Sequence, residues 1–245
     1  MLIICFFCGD ANLMNFRISA LLITGFLFTF SFPIFSEARE GATLEQLTHQ
    51  AAIHWVSVQQ LETDLADKKP INVGFDIDDT LLYSSPAFFY GKSKFSPDSM
   101  NFLKNKIFWN ELSSKGWDEF SIPKQSGREL IEMHLKHGDN IYFITGRPAP
   151  EGAKEDLTEI IQRDFSIPEE KLNKVIYAGT SRNAKVEYIK KNHITVFYGD
   201  SDSDILDARK AGATGIRVLR PLLSTNTPFP VNGSLGEEVV ANSQY

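Results

Sequence analysis

The chain has 245 residues, a formal net charge of −6, and 42% apolar against 23% charged residues. That balance is ordinary for a globular protein, and it excludes a disordered tail, a coiled rod and the basic footprint of a nucleic-acid or anionic-membrane binder. The cysteines, Cys5 and Cys8, sit together at the N-terminus and cannot staple a fold.

Residues 14–38 have the pattern of a secretory signal peptide. Arg17 supplies the positive region, residues 18–30 are apolar, and Ser36-Glu37-Ala38 puts small residues before a cleavage after Ala38. The apolar run ends in Pro33 rather than in a basic stop, so no membrane anchor is expected after cleavage. Translation is expected to start at Met14, with residues 1–38 removed and residues 39–245 forming one exported domain without cysteine.

Residues 43–66 read as a helical lead-in, with Ser57 and Gln60 spaced as a capping box. Short β-rich apolar runs follow at 71–75, 140–144, 174–177, 194–198 and 215–219, as buried parallel strands should look. Between them lie helical stretches at 125–137, stopped by Gly138, at 152–164, at 183–191, and at 202–211, stopped by Gly212. This alternation predicts an α/β fold, a doubly wound parallel sheet. Residues 83–123 interrupt it with an aromatic-rich stretch that should be a small helical insertion above the carboxyl end of the first strand, where open α/β sheets bind ligands. Its aromatics should mostly form its own core, with two or three lining a pocket. Residues 221–245 read as an extended C-terminal arm.

The first strand runs directly into Asp76-Ile77-Asp78-Asp79-Thr80, and the strand at 194–198 into Gly199-Asp200-Ser201-Asp202-Ser203-Asp204. Extended backbone would turn Asp76 and Asp78 to one side. Two parallel strands that end in carboxylates on one sheet edge need a hard cation to neutralise them, and Mg²⁺ suits such oxygen donors. The strand at 140–144 ends in Thr145-Gly146-Arg147, a hydroxyl, a close backbone approach and a guanidinium fork. Lys185, near the start of its helix, can reach the same edge. Nucleophilic carboxylate, metal, hydroxyl and lysine are the parts for phosphoryl transfer.

Other features carry less. Asp79 is expected to fix the turn, and Ser201 or Asp202 to cap the next helix. Arg147 reads either as a surface ion pair or as a phosphate contact. His134 and His137 have a metal-compatible spacing but read better as a solvated helix face. Gly91-Lys92-Ser93 imitates the end of a phosphate-binding loop, but Pro86 stands where its first glycine must be.

The motifs Asp76–Thr80, Thr145, Lys185 and Gly199–Asp204, in that order, resemble the four motifs of the haloacid dehalogenase (HAD) superfamily. From about residue 47 onwards the chain is similar to the bacterial class B acid phosphatases, most closely at 75–86, 116–123, 198–217 and 236–243. The resemblance implies that Asp76 attacks phosphorus and that Asp78 protonates the leaving oxygen and then activates water. It implies Mg²⁺ held by Asp76, the Asp78 carbonyl and Asp200, with Asp204 acting through water or behind these ligands. Thr145 and Lys185 would hold phosphoryl oxygens beside Gly146 and Arg147, and Phe88, Phe102, Leu103 and Trp109 would line the leaving-group pocket. Phe102 and Asn226 stand where the family pattern has tyrosines, which touches nucleoside preference more than chemistry. Such enzymes are periplasmic homotetramers that act on nucleotides and other small phosphomonoesters, not on nucleic-acid polymers, with some transfer to alcohols. The alternative is a catalytically silent storage or binding protein of the same fold; such relatives tend to lack the nucleophile, which is present here.

Overall fold

The computed structural model describes residues 53–151 and 155–245. Its centre is a seven-stranded sheet in the order β1-β9-β8-β7-β2-β5-β6, with every pairing parallel. The strands are β1 (His54–Val56), β2 (Asn72–Phe75), β5 (Asn140–Thr145), β6 (Ile176–Tyr177), β7 (Val196–Gly199), β8 (Thr214–Arg217) and β9 (Glu238–Val240). The doubly wound α/β expectation holds. β2 and β5 carry apolar residues that are shielded on both faces, so Val73, Phe75 and Phe143 have no solvent exposure.

The chain leaves β2 towards β5 and β6, then returns to the other side of β2 to form β7 and β8. The direction of winding therefore reverses at β2, and the carboxyl ends of β2, β5 and β7 open onto one crevice. Five of the helices are α1 (Val58–Leu65), α4 (Gln125–His137), α5 (Leu157–Asp164), α6 (Val186–Lys191) and α7 (Asp202–Ala211). Gly138 and Gly212 end α4 and α7 in the left-handed conformation, each with φ 88°, as the sequence predicts. The strand and helix bounds otherwise differ from expectation by a few residues, and residues 152–154 lie outside the described part.

The insertion is tied off at its base by a two-stranded antiparallel ribbon, β3 (Leu82–Tyr83) with β4 (Ile122–Pro123). Between these run α2 (Ser85–Phe95), α3 (Lys106–Ser114) and the 3₁₀ turns Asn101–Lys104 and Trp117–Phe120. Its aromatics do form a separate core. Phe108 meets Phe88 edge to face at 5.7 Å and Phe102 at 4.9 Å.

Three expectations need correction. The helical lead-in is helical only from Val58: Ser57 caps α1, its Oγ accepting from Gln60 N at 3.1 Å, but His54–Val56 is a strand that pairs with β9. Residues 43–52 lie outside the described part. The C-terminal arm is not extended throughout, because Glu238–Val240 forms β9 inside the sheet and Ser243 is buried beyond it. His134 is not on a solvated face. It has no exposure, its ring nitrogens meeting Asp139 Oδ2 at 2.6 Å and the Tyr198 hydroxyl at 3.1 Å, while His137 meets the other Asp139 oxygen at 2.7 Å. The pair grips one carboxylate, which explains the spacing without a metal.

Candidate active site

The turn after β2 is set by backbone. Asp76 N donates to Tyr198 O at 2.9 Å, continuing the ladder one residue past the strand, and Ile77 O then accepts from Leu81 and Leu82 at 2.9 Å each. Asp79 takes a left-handed φ of 60°, and its N–H donates to Leu82 O at 2.7 Å, so it fixes the turn as expected. This geometry sends Asp76 and Asp78 into one cleft of about 290 Å³ that also holds Lys185, Asp200 and Asp204.

On the neighbouring strand, Ser201 caps α7 in a complete capping box with Asp204, so Ser201 rather than Asp202 is the cap. Asp202 instead binds the buried Arg217 at 2.7 Å. The box brings Asp204 back over Gly199, where any Cβ would lie 2.2 Å from the Asp204 Cβ. Only glycine permits that approach, so the end of β7 is fixed by the need to seat Asp204.

Carboxylate oxygens of Asp76, Asp200 and Asp204 lie within 4.8 Å of one another, all three residues being buried. Burial is the strongest influence on Asp76 and pushes its pKa well up; Lys185 opposes this, and the neighbouring carboxylates reinforce it. Three buried anionic oxygens converging without enough positive charge form a donor set that fits a hard divalent cation. Lys185, at the residue before α6, donates to Asp76 Oδ1 and to Asp204 Oδ1, the latter at 2.6 Å. Burial would lower its pKa, but the two carboxylates raise it well above the usual lysine value. Lys185 thus stays charged and ties the two strand ends together.

Asp78 lies apart from this cluster. Arg147 Nε donates to its Oδ2 at 2.8 Å and Nη2 to its Oδ1 at 2.6 Å, and the Ser84 hydroxyl adds a third bond at 2.6 Å. Burial acts to raise the Asp78 pKa, yet Arg147 and Ser84 outweigh it and hold the carboxyl below its ordinary value. Arg147 is therefore no surface ion pair: it is 3% exposed and also donates to Asp118 at 2.8 Å. Thr145, the last residue of β5, accepts from Arg147 N at 3.1 Å and stands 3.5 Å from Asp78 Oδ2.

Phe88, Leu103 and Trp109 from the insertion form the apolar wall, with Gly146, Arg147 and Asn226 also lining the cleft. Trp109 is held in place by its Nε1–H donating to Leu103 O at 2.8 Å. The Arg147 guanidinium lies 5.2 Å from the Phe88 ring centre and 5.7 Å from that of Trp109. Phe102 is not part of this wall. It is 1% exposed and packs into the insertion core, because its ring is taken up by Phe108 and Phe88.

Sequence reasoning passed over Ser84, Asp118, Lys124 and Arg220. Lys124 is buried and donates to Asp79 O at 2.7 Å and Leu219 O at 2.8 Å, and burial lowers its pKa to about 7. Burial likewise raises Asp79 to about 7, although Ser224 donates to its Oδ2 at 2.6 Å. Arg220 Nε donates to Asp200 Oδ2 at 2.6 Å. No local pattern marks these residues. The signal that could have found them is charge balance, since the acidic edge demands more cations than Lys185 and Arg147 supply.

The profile of the HAD superfamily, subfamily IIIB (acid phosphatase), matches residues 36–222. Among curated proteins, the class B acid phosphatase of Edwardsiella ictaluri (strain 93-146) is 68% identical over 205 residues, covering 84% of this chain and 85% of that protein. The class B acid phosphatase of Enterobacter sp. (strain 638) is 52% identical over 207 residues, covering 84% and 86%. That of Klebsiella pneumoniae (strain 342) is 51% identical over 207 residues, with the same coverage.

Proposed function

The chain belongs to the HAD superfamily, subfamily IIIB, and is an acid phosphatase; from this we propose that it hydrolyses small phosphomonoesters in two steps through an aspartyl-phosphate at Asp76. The observation that carries the reading is the meeting of Asp76, Lys185, Asp200 and Asp204 in one buried cluster, with Asp78 held separately by Arg147 in the same cleft. The silent-binder alternative gives way to the enzyme.

A divalent cation would be held by Asp76 and Asp200, with the Asp78 carbonyl as a further donor, and Mg²⁺ suits that all-oxygen set. When bound, it neutralises charge on the phosphoryl oxygens. Asp204 acts from behind these ligands: its Oδ1 accepts from Lys185, and its Oδ2 from the Ser201 N–H and hydroxyl. Lys185 keeps the Asp76 carboxylate aimed and, with Thr145 and the backbone at Gly146, holds phosphoryl oxygens.

In the first step an Asp76 oxygen forms a bond to phosphorus, the ester P–O bond breaks, and Asp78 gives its proton to the leaving oxygen. In the second, Asp78 takes a proton from water, whose oxygen bonds to phosphorus as the bond to Asp76 breaks, releasing phosphate. Arg147 favours the ionised Asp78 that the second step needs. An arriving phosphate dianion competes for Arg147 and raises the proton affinity of Asp78, which prepares the first step. Phe88, Leu103 and Trp109 exclude water around the leaving group.

The same reading includes export to the periplasm, assembly as a homotetramer, and phosphoryl transfer when an alcohol replaces water. Residues 1–38 lie outside the described part, and no helix among the described residues is long and apolar enough to cross a membrane. The test is hydrolysis of a chromogenic aryl phosphate by residues 39–245, metal-stripped, restored with Mg²⁺, and beside Asp76→Asn. Activity should need the cation and vanish in the variant. Activity surviving Asp76→Asn would mean that another group attacks phosphorus.

A further inference from the structure

The acidic edge contains an arginine that contributes to two places at once. Arg220 lies just beyond β8, is 7% exposed, and donates from Nε to Asp200 Oδ2 at 2.6 Å. Its Nη1 donates to the backbone carbonyl of Pro228, at 3.0 Å, and to that of Asn226. Asp200 belongs to the carboxylate cluster, and Asn226 lines the same cleft as Phe88, Leu103 and Trp109. Around this fork, Ser224 donates to Asp79 Oδ2 at 2.6 Å, and Lys124 joins the Asp79 and Leu219 carbonyls. The loop at 220–228 and the two acidic strand ends are thus one hydrogen-bonded unit, with Arg220 at its centre.

We propose that Arg220 is a positioning residue for both the cation and the substrate: it pins Asp200 Oδ2 and so fixes the orientation of the carboxylate that joins Asp76 and Asp204, and it fixes the Asn226 wall of the cleft. The physical basis is the fork itself. A guanidinium presents several donors in a rigid plane, so one side chain can hold a carboxylate and two carbonyls in fixed relation. A lysine carries the same charge as a single point on a flexible stem and cannot hold both sides. Partners behind a metal ligand set its orientation, and their loss typically weakens metal binding by roughly 10–100-fold.

This inference rests on the reading that Asp200 holds a divalent cation. The experiment is calorimetric titration of residues 39–245 with Mg²⁺, for wild type and Arg220→Lys, in which charge is kept and only the fork is lost. The Mg²⁺ Kd of Arg220→Lys should rise about tenfold or more. At saturating Mg²⁺ its KM for an aryl phosphate should rise as well, because the Asn226 wall is loosened, while a variant that had merely lost stability would keep the wild-type KM in its folded fraction. An unchanged Mg²⁺ Kd in folded Arg220→Lys overturns the inference and leaves the function standing; no Mg²⁺ binding by wild type overturns the cation reading instead. Should the variant not fold, the wild type still decides. The Arg220 Nε–H nuclear magnetic resonance should shift when Mg²⁺ is added, and a resonance that stays in place while Mg²⁺ binds overturns the inference.

Discussion

Asp118 in the insertion and Arg147 at the end of β5 form an ion pair of 2.8 Å in which both side chains are almost wholly buried. The same guanidinium holds Asp78, so the position of the insertion and the state of the proposed acid–base group depend on one arginine. This is the clearest physical link between the helical insertion and the chemistry on the sheet.

Removing one side of that link should be costly. Asp118→Ala leaves a buried Arg147 nitrogen without its partner, and breaking a buried pair from one side typically costs about 3–5 kcal/mol. The urea midpoint should fall accordingly, with Asp118→Asn falling less because the amide oxygen still accepts. An unchanged midpoint for Asp118→Ala would mean that the pair does not anchor the insertion.

Burial outweighs Lys185 at Asp76, so a neutral amide there relieves a buried charge. Asp76→Asn should abolish hydrolysis while melting, in chelator, at or above the wild-type temperature. Lys185 keeps its bond to Asp204 in that variant. A melting temperature several degrees lower would show that the Lys185–Asp76 pair contributes more than burial removes.

Mg²⁺ should stabilise the wild type in proportion to the logarithm of its concentration, by about 2.7 kcal/mol at a hundredfold excess over Kd. The cause is the mutual repulsion of the three carboxylates, which a bound cation relieves. Asp200→Asn should lose most of that increment in a thermal scan. An equal response in the two proteins would place the cation elsewhere.

Gly91 faces the core of the insertion, where a Cβ would lie 2.1 Å from two ring carbons of Phe108. Phe108 has no exposure and cannot swing aside, so Gly91→Ala overpacks the insertion, a change that typically costs about 1–3 kcal/mol. Phe88 and Trp109 pack on that ring and line the cleft. KM for an aryl phosphate should rise with kcat little changed, since the shift reaches the apolar wall of the cleft and not Asp76.

The Asp139 cluster makes stability depend on pH far from the carboxylate edge. A hydrogen bond to Asp139 raises the His137 pKa above 6.5, so its contribution is complete below 6.5 and is lost as pH rises through the higher folded value. Asp139 is the opposite case: burial would raise it, but bonds from His134, the Ile71 N–H and His137 hold it below 3.8. Its contribution is complete above 3.8 and is lost as pH falls through the lower folded value. In urea titrations, His137→Gln should be less stable than wild type below pH 6.5, with the gap closing as pH rises. A gap that does not change with pH would exclude the ionic part of this contact.

The sequence alone determined the alternating strands and helices, the glycine stops at 138 and 212, and the acidic strand ends that carry Asp76, Asp78, Asp200 and Asp204. Thr145 and Lys185 were legible for the same reason. Each stands at the end of a β-rich run or the start of a helix, and those signals are local, arising within a few residues of chain. Tertiary structure alone decided the rest. The strand at His54–Val56 exists because Glu238–Val240 pairs with it from the far end of the chain, and nothing near residue 54 announces that partner. Arg220, Lys124 and His134 look like ordinary surface residues in the sequence, Arg147 like either a surface ion pair or a phosphate contact, and Phe102 like a pocket residue. Their roles depend on partners that reach them only when the sheet closes: Asp118 for Arg147, Asp200 for Arg220, Leu219 for Lys124, Tyr198 for His134 and Phe108 for Phe102. A buried charge or ring takes its meaning from desolvation and from the group it meets, and both come into being only on folding.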